Sequence, residues 1–185
     1  MSDPFELLGI PARFDLDLAE LAARQRELSR ALHPDRYAGR GASERRQALG
    51  KAIEVNEAAR VLKDPVKRAE LLLTRYGVAV GEGAERAVDA DFLMEIMELR
   101  EKLGELRRAR DVGGVEALSQ SVEVRQRAVS ERLAHGFREL LASGAAAESR
   151  ARSDQLGQQL LPLVAELRYY ARFFAEAHAI LDDFG

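Results

Sequence analysis

The sequence has no cysteine and no tryptophan, and only five prolines and three histidines among 185 residues. Without thiols there can be no disulfide, no cysteine nucleophile and no sulfur-ligated metal. His33, His135 and His178 stand far apart, without the spacing a helix-borne zinc site uses, so neither a metal nor another cofactor is expected. No apolar run reaches the roughly 20 residues needed to span a bilayer. The opening "MSDPFELLGI" carries Asp3 and Glu6 where a secretory signal needs a basic stretch before an apolar one. A cytoplasmic chain with no membrane partner is the expectation. A basic surplus is missing too. Residues 1–76 hold 14 basic and 12 acidic side chains, and residues 77–185 hold 14 and 19, so no nucleic-acid partner is expected. Arginine outnumbers lysine by 24 to 4, for which compositional bias is the simplest account.

What is present is helix-forming sequence almost throughout, with 46% apolar and 32% charged residues. "DPFELLGI" predicts a short helical turn ending at Gly9 and Pro11. Asp15 or Asp17 can cap a second helix whose Leu18, Leu21, Leu28 and Leu32 share a face. Pro34 ends it, because the residue before a proline is pushed out of the helical region. From about Ser43 to Lys63, Ala48, Ala52, Val55, Ala59 and Leu62 form a close-packing seam. Asp64-Pro65 then reads as an N-cap with proline at the first helical position. The glycine-bearing stretch 77–89 is the expected connector between two units, its valines suggesting a packed rather than a loose one. Beyond it, Phe92, Ile96, Leu99, Leu103 and Leu106 mark one seam, and Leu118, Val122, Val129, Leu133 and Leu140 a second. Leu156, Leu160, Leu163, Leu167, Tyr170, Phe174, Ala177 and Leu181 mark a third, with Pro162 expected to kink it. Three such seams imply a three-helix bundle over 90–185. The fold class is therefore all-α.

Two features go beyond folding. The first is "LHPDRY", an exposed turn in which Pro34 fixes the backbone and Gly39 and Gly41 are expected to permit the reversal. Asp35 offers a carboxylate that a partner's arginine can grip with two hydrogen bonds. Arg24, Arg26 and Arg30 on the preceding helix, with Arg36, add positive charge suited to an acidic partner. As a catalytic pair, His33 and Asp35 lack a nucleophile, a phosphate cradle or a metal, so an enzyme is not expected. The second feature lies off the seam of the first bundle helix. Leu93, Met97, Glu101 and Glu105 recur every four residues, flanked by Met94 and Glu98, with apolar groups at one end and carboxylates at the other. Tyr169 and Phe173 lie off the Tyr170–Phe174 seam and are expected to join this patch. Two readings stay open: a partner-binding surface, or the flank of a wide core. Glu98, Glu101 and Glu105 read more readily as a solvated or partner-facing edge than as a cation site.

The pair of helices around "LHPDRY", followed by "NEAARVLKDPVKRAELLL" with Asn56, Ala59 and Leu62, resembles a J domain over residues 1–76. "DADFLMEIMELREKLGEL" and "LRYYARFF" resemble the C-terminal bundle of the HscB-type co-chaperones. That resemblance implies an L-shaped molecule, a J domain plus a three-helix bundle. It implies that His33, Pro34, Asp35 and the basic helix contact an HscA/DnaK-class chaperone and stimulate its ATP hydrolysis. It further implies that Leu93, Met94, Met97, Glu98, Glu101, Glu105 and Tyr169 bind an IscU-type iron–sulfur scaffold; Phe173 is added from spacing alone. The likeness is weakest over 107–155, where "SGAAAESRARSDQLGQQ" reads as a long connection. Two alternatives remain: a J-type co-chaperone for another client, or a helical assembly protein that dimerises through the 156–181 seam.

Overall fold

The computed structural model describes residues 3–80, 88–142 and 147–184, with side chains apart from those of 147–153, and is helical without strands among them. The chain divides into two compact units, Met1–Leu72 and Leu73–Gly185. Most of the expected connector, 81–87, lies outside the described residues.

In the first unit, α1 (Pro4–Leu8) starts where the Asp3 carboxylate accepts hydrogen bonds from the N–H groups of Phe5 and Glu6, at 2.8 and 3.3 Å. It stops at Gly9, whose φ of 63° suits a residue without a side chain. Asp17 caps α2 (Leu18–Ala31) in the same manner, accepting from Ala19 and Glu20 at 2.8 and 3.3 Å. Of the expected leucine face only Leu21 is fully buried; Leu28 and Leu32 are half-buried, and Leu18, the first residue of the helix, is exposed. The long α3 (Ala42–Lys63) packs on both α1 and α2, burying Ala48, Val55, Ala59 and Leu62 in the order the seam predicts. Small side chains there let the helix axes approach closely. Across this hairpin Gln25 donates to Asn56 Oδ1 at 3.0 Å and accepts from Lys63 Nζ at 2.9 Å, a polar link that the sequence pattern does not announce.

Asp64 accepts from Val66 and Lys67 at 2.9 and 3.2 Å and so opens α4 (Pro65–Arg75). One turn in, Arg68 is buried. Its guanidinium donates to the carbonyl of Leu62, one of the last carbonyls of α3, and lies 5.0 Å from the centre of the Phe14 ring. Burial holds its pKa below the ordinary arginine value, opposed by Asp64 and Asp15. A charge is tolerated there because it satisfies a helix terminus and an aromatic face together.

The second unit contains α5 (Ala90–Ala109), α6 (Val112–Ala142) and α7 (Ala147–Asp182). The turn after α5 uses Arg110 in a left-handed conformation, φ 52°, and reverses the chain into α6. Two ion pairs fix how α5 and α7 align: Arg100–Glu176 at 3.2 Å and Arg107–Asp183 at 3.1 Å. Both partners advance by seven residues, so these helices run parallel and in register over two turns, with α6 antiparallel to them. The core holds Ile96, Leu99 and Leu103 from α5, Val122, Val129, Leu133 and Leu140 from α6, and Leu160, Leu163, Leu167, Tyr170 and Ala177 from α7. At Gly136 and Gly157 any Cβ would collide, with the Leu160 and Val78 side chains respectively. Val78 is buried in this contact. One expectation is corrected. Much of the expected long connection is helix: residues from Ala147 onward belong to α7, while 143–146 lie outside the described residues. Pro162 lies inside this helix, which runs on past it as one element. The carbonyl that the missing N–H would have bonded belongs to Gln158, an exposed residue.

Candidate functional site

Each unit carries one surface that its own folding does not use. In the first, residues Pro34–Tyr37 form a single 3₁₀ turn between α2 and α3. Pro34 sets its first residue, and the His33 imidazole caps it: the backbone N–H of Asp35 donates to His33 Nδ1 at 3.3 Å. The Asp35 carboxylate lies near the same nitrogen, Oδ2 to Nδ1 at 3.4 Å, and the two side chains are 58% and 88% exposed. Gly39 and Gly41 do not supply the reversal through left-handed backbone; among the described residues the glycines with positive φ are Gly9 and Gly77. The 3₁₀ turn itself redirects the chain.

Arg26 and Arg30, one helical turn apart on α2, line two shallow grooves. One, of about 550 Å³, is shared with Glu27 and Arg36; the other, of about 360 Å³, with Gln25, Ser29 and His33. The structure thus gathers Arg26, Arg30, Arg36 and His33 on one continuous face. Arg24 lines neither groove. It pairs with Glu27, at the edge of the first groove, at 3.0 Å and lies against Gly9, 3.4 Å from where a Cβ would stand.

In the second unit, α5 presents Met94 and Met97 to solvent, 61% and 70% exposed, with Glu98, Glu101 and Glu105 exposed beside them. Leu93 is half-buried. The half-buried Tyr169 of α7 meets α5 at Phe92: that ring stands edge-on to Tyr169 at 5.9 Å and to Tyr170 at 5.5 Å, and Arg172 lies 5.7 Å over the Tyr169 ring. Arg172 is an addition that seam counting missed, and Phe92, counted as a seam residue, is only half-buried. Phe173 is a correction. It is 1% exposed and belongs to the core, so it cannot contribute to a surface. Phe174 is the half-buried neighbour, lining a groove with Ser119, Gln120 and His178 against α6.

Behind this patch, Glu95 pairs with Arg125 at 2.9 Å. Glu166 carries a carboxyl raised above the ordinary range chiefly by burial, with Glu95 and Asp89 adding to the rise and Arg132 opposing it. Burial, reinforced by Glu95 and Glu166, pushes the Tyr170 hydroxyl up to about 12. Among the described residues no group of three or more His, Asp or Glu side chains is placed to hold a metal ion, the glutamate row included. No helix among them is long and apolar enough to cross a membrane.

A helical hairpin tipped by an exposed His-Pro-Asp turn, joined in one chain to a three-helix bundle with its own apolar and acidic ridge, defines a J-type co-chaperone architecture. Residues 88–178 match the family model for the HSCB C-terminal oligomerisation domain. The chain is 41% identical over 129 residues to the co-chaperone protein HscB homolog of Burkholderia multivorans, an alignment covering 70% of this chain and 74% of that protein. It is 41% identical over 109 residues to the co-chaperone protein HscB of Proteus mirabilis, which covers 59% of this chain and 63% of that relative's length. The solved structure of chaperone HscB from Vibrio cholerae superposes over 100% of both chains with a TM-score of 0.74 at 28% identity. The chain belongs to the HscB family of co-chaperones.

Proposed function

We propose that this co-chaperone binds an IscU-type iron–sulfur scaffold through the α5 ridge, delivers it to an HscA/DnaK-class chaperone, and stimulates that chaperone's ATP hydrolysis through the His33-Pro34-Asp35 turn. Met94 and Met97 provide an adaptable apolar contact, bordered by Leu93 and Tyr169, and Glu98, Glu101 and Glu105 set its orientation by charge. Arg26, Arg30 and Arg36 steer an acidic face of the chaperone, leaving Asp35 to take an arginine from it. No acid, base or nucleophile is required in this chain. Its effect is a shift of population between states of another protein, made possible by binding one of them better. Holding client and ATPase on one molecule also raises their effective concentration for each other.

The observation that carries this reading is the pairing of an exposed Asp35 carboxylate with a basic helix face in one unit and exposed methionines beside a glutamate row in the other. The test is steady-state ATP turnover by the cognate chaperone with scaffold present. His33→Gln is expected to abolish the stimulation while leaving scaffold affinity intact; undiminished stimulation by this variant rejects the mechanism. The same assay run without scaffold separates a J-type protein serving another client. This reading is preferred to dimerisation through the 156–181 seam, since Leu160, Leu163, Leu167, Tyr170 and Ala177 of that seam are buried within one chain.

A further inference from the structure

His33 Nδ1 stands at two short distances at once. It accepts the Asp35 backbone N–H at 3.3 Å, and Asp35 Oδ2 lies 3.4 Å away. One ring nitrogen cannot serve both neighbours. Accepting an N–H requires a bare lone pair, so the neutral ring must carry its proton on Nε2. In that state Nδ1 and the carboxylate oxygen are both acceptors and repel, which turns the carboxylate outward to solvent. A proton on Nδ1 reverses the arrangement: the N–H then points at Oδ2, and the Asp35 amide loses its cap.

We propose that His33 is a positioning residue for Asp35 and a proton-operated one: neutral, it caps the turn and leaves the carboxylate free for a partner; protonated, it takes the carboxylate for itself. The charged groups facing it come from three elements. Arg26 and Arg30 of α2 share its groove, and Arg36 and Asp35 belong to its own turn. From the first turns of α3 the charged residues are Glu44, which accepts from Gly41 N–H and pairs with Arg40, then Arg45, Arg46 and Lys51. Any partner that needs a free Asp35 carboxylate must bind the neutral state. Its affinity therefore falls as the ring takes its proton, by no more than about fivefold in all, the limit set by an exposed ion pair. That consequence rests on the proposed chaperone contact; the device itself resides in this chain alone.

The experiment is a pH titration of the full-length protein by nitrogen-15 NMR, following the His33 ring nitrogens and the Asp35 amide from pH 8 to pH 5. The expected result is an Nε2–H tautomer at pH 8 and an Asp35 amide that moves with the same midpoint as the ring. In Asp35→Asn the midpoint should drop, and in His33→Asn, whose amide oxygen can cap without titrating, the residue 35 amide should stay still. A proton on Nδ1 at pH 8, or an Asp35 amide that ignores the ring titration, overturns the proposal. Chaperone affinity measured over the same range reads the other question: no binding at any pH counts against the proposed function, whatever the NMR titration gives.

Discussion

Replacing Met97 by alanine should damage binding more than folding, by an amount the structure sets. Burying a methionine side chain is worth about 1.5–3 kcal/mol. Met97 is 70% exposed in the free chain, so folding draws on less than a third of that value, about 0.5–0.9 kcal/mol. A scaffold that covers the rest would gain about 1–2 kcal/mol from it, so Met97→Ala should weaken the complex about 6- to 35-fold. Phe173 provides the opposing case. At 1% exposure it has nothing left to give a partner, and Phe173→Ala should cost folding about 3–5 kcal/mol. Calorimetric titration with the scaffold, paired with chemical denaturation of each variant, measures both quantities. The reasoning fails if Met97→Ala lowers stability more than affinity. It fails equally if Phe173→Ala, measured where it remains folded, weakens scaffold binding as much as Met97→Ala does.

Two further predictions concern stability. The raised Glu166 carboxyl binds its proton more tightly in the folded bundle than in the unfolded chain, so this site favours folding in acid and loses that contribution as pH rises through the raised value. Glu166→Gln should therefore stabilise the protein at pH 7, by less than about 1 kcal/mol because the group is partly solvated, and denaturation curves at pH 4 and 7 should show the gain only at the higher pH. Helical glycines should respond oppositely to alanine. At Gly50 a Cβ meets nothing within 4 Å, so Gly50→Ala should add about 1 kcal/mol, whereas at Gly157 the stiff, β-branched Val78 stands in the way and overpacking of about 1–3 kcal/mol should outweigh the helical gain. Thermal melts of the two variants check the difference in sign.

Most of the helical framework could be read from spacing and caps. Asp3, Asp17 and Asp64 each accept two N–H groups at the start of a helix, and the α3 and α6 seams bury largely as counted. The misses share a cause: spacing along one helix does not say on which side its neighbours lie. On α7 the seam count alternated through Tyr170 and Phe174, yet α5 lies along the line of Tyr169, Glu176 and Asp183. Phe173 is roughly 40° from Tyr169 around the helix and is covered, whereas Phe174 falls toward the groove with α6. Arg24 is a similar case, since a basic face assembled from sequence includes an arginine that lines neither groove. The His33 cap was hidden for another reason. Histidine is not among the residues whose capping is expected, so its use of Nδ1 emerges only from coordinates.

The two candidate surfaces occupy positions that folding leaves almost free. Removing Met94 or Met97 takes little from the core, and the His33-Pro34-Asp35 turn buries none of its residues. Such positions are exempt from the packing constraints that make Leu103, Leu133 and Leu167 predictable, so periodicity can mark them only as exceptions. An exposed methionine pair is a poor choice for a surface that meets only water, because apolar area left uncovered gains nothing and invites association. A carboxylate left 88% exposed at the tip of a turn is likewise of no use to a turn that only reverses the chain. Under the proposed function both arrangements gain their value when another protein arrives, and binding assays rather than unfolding experiments should therefore register their loss.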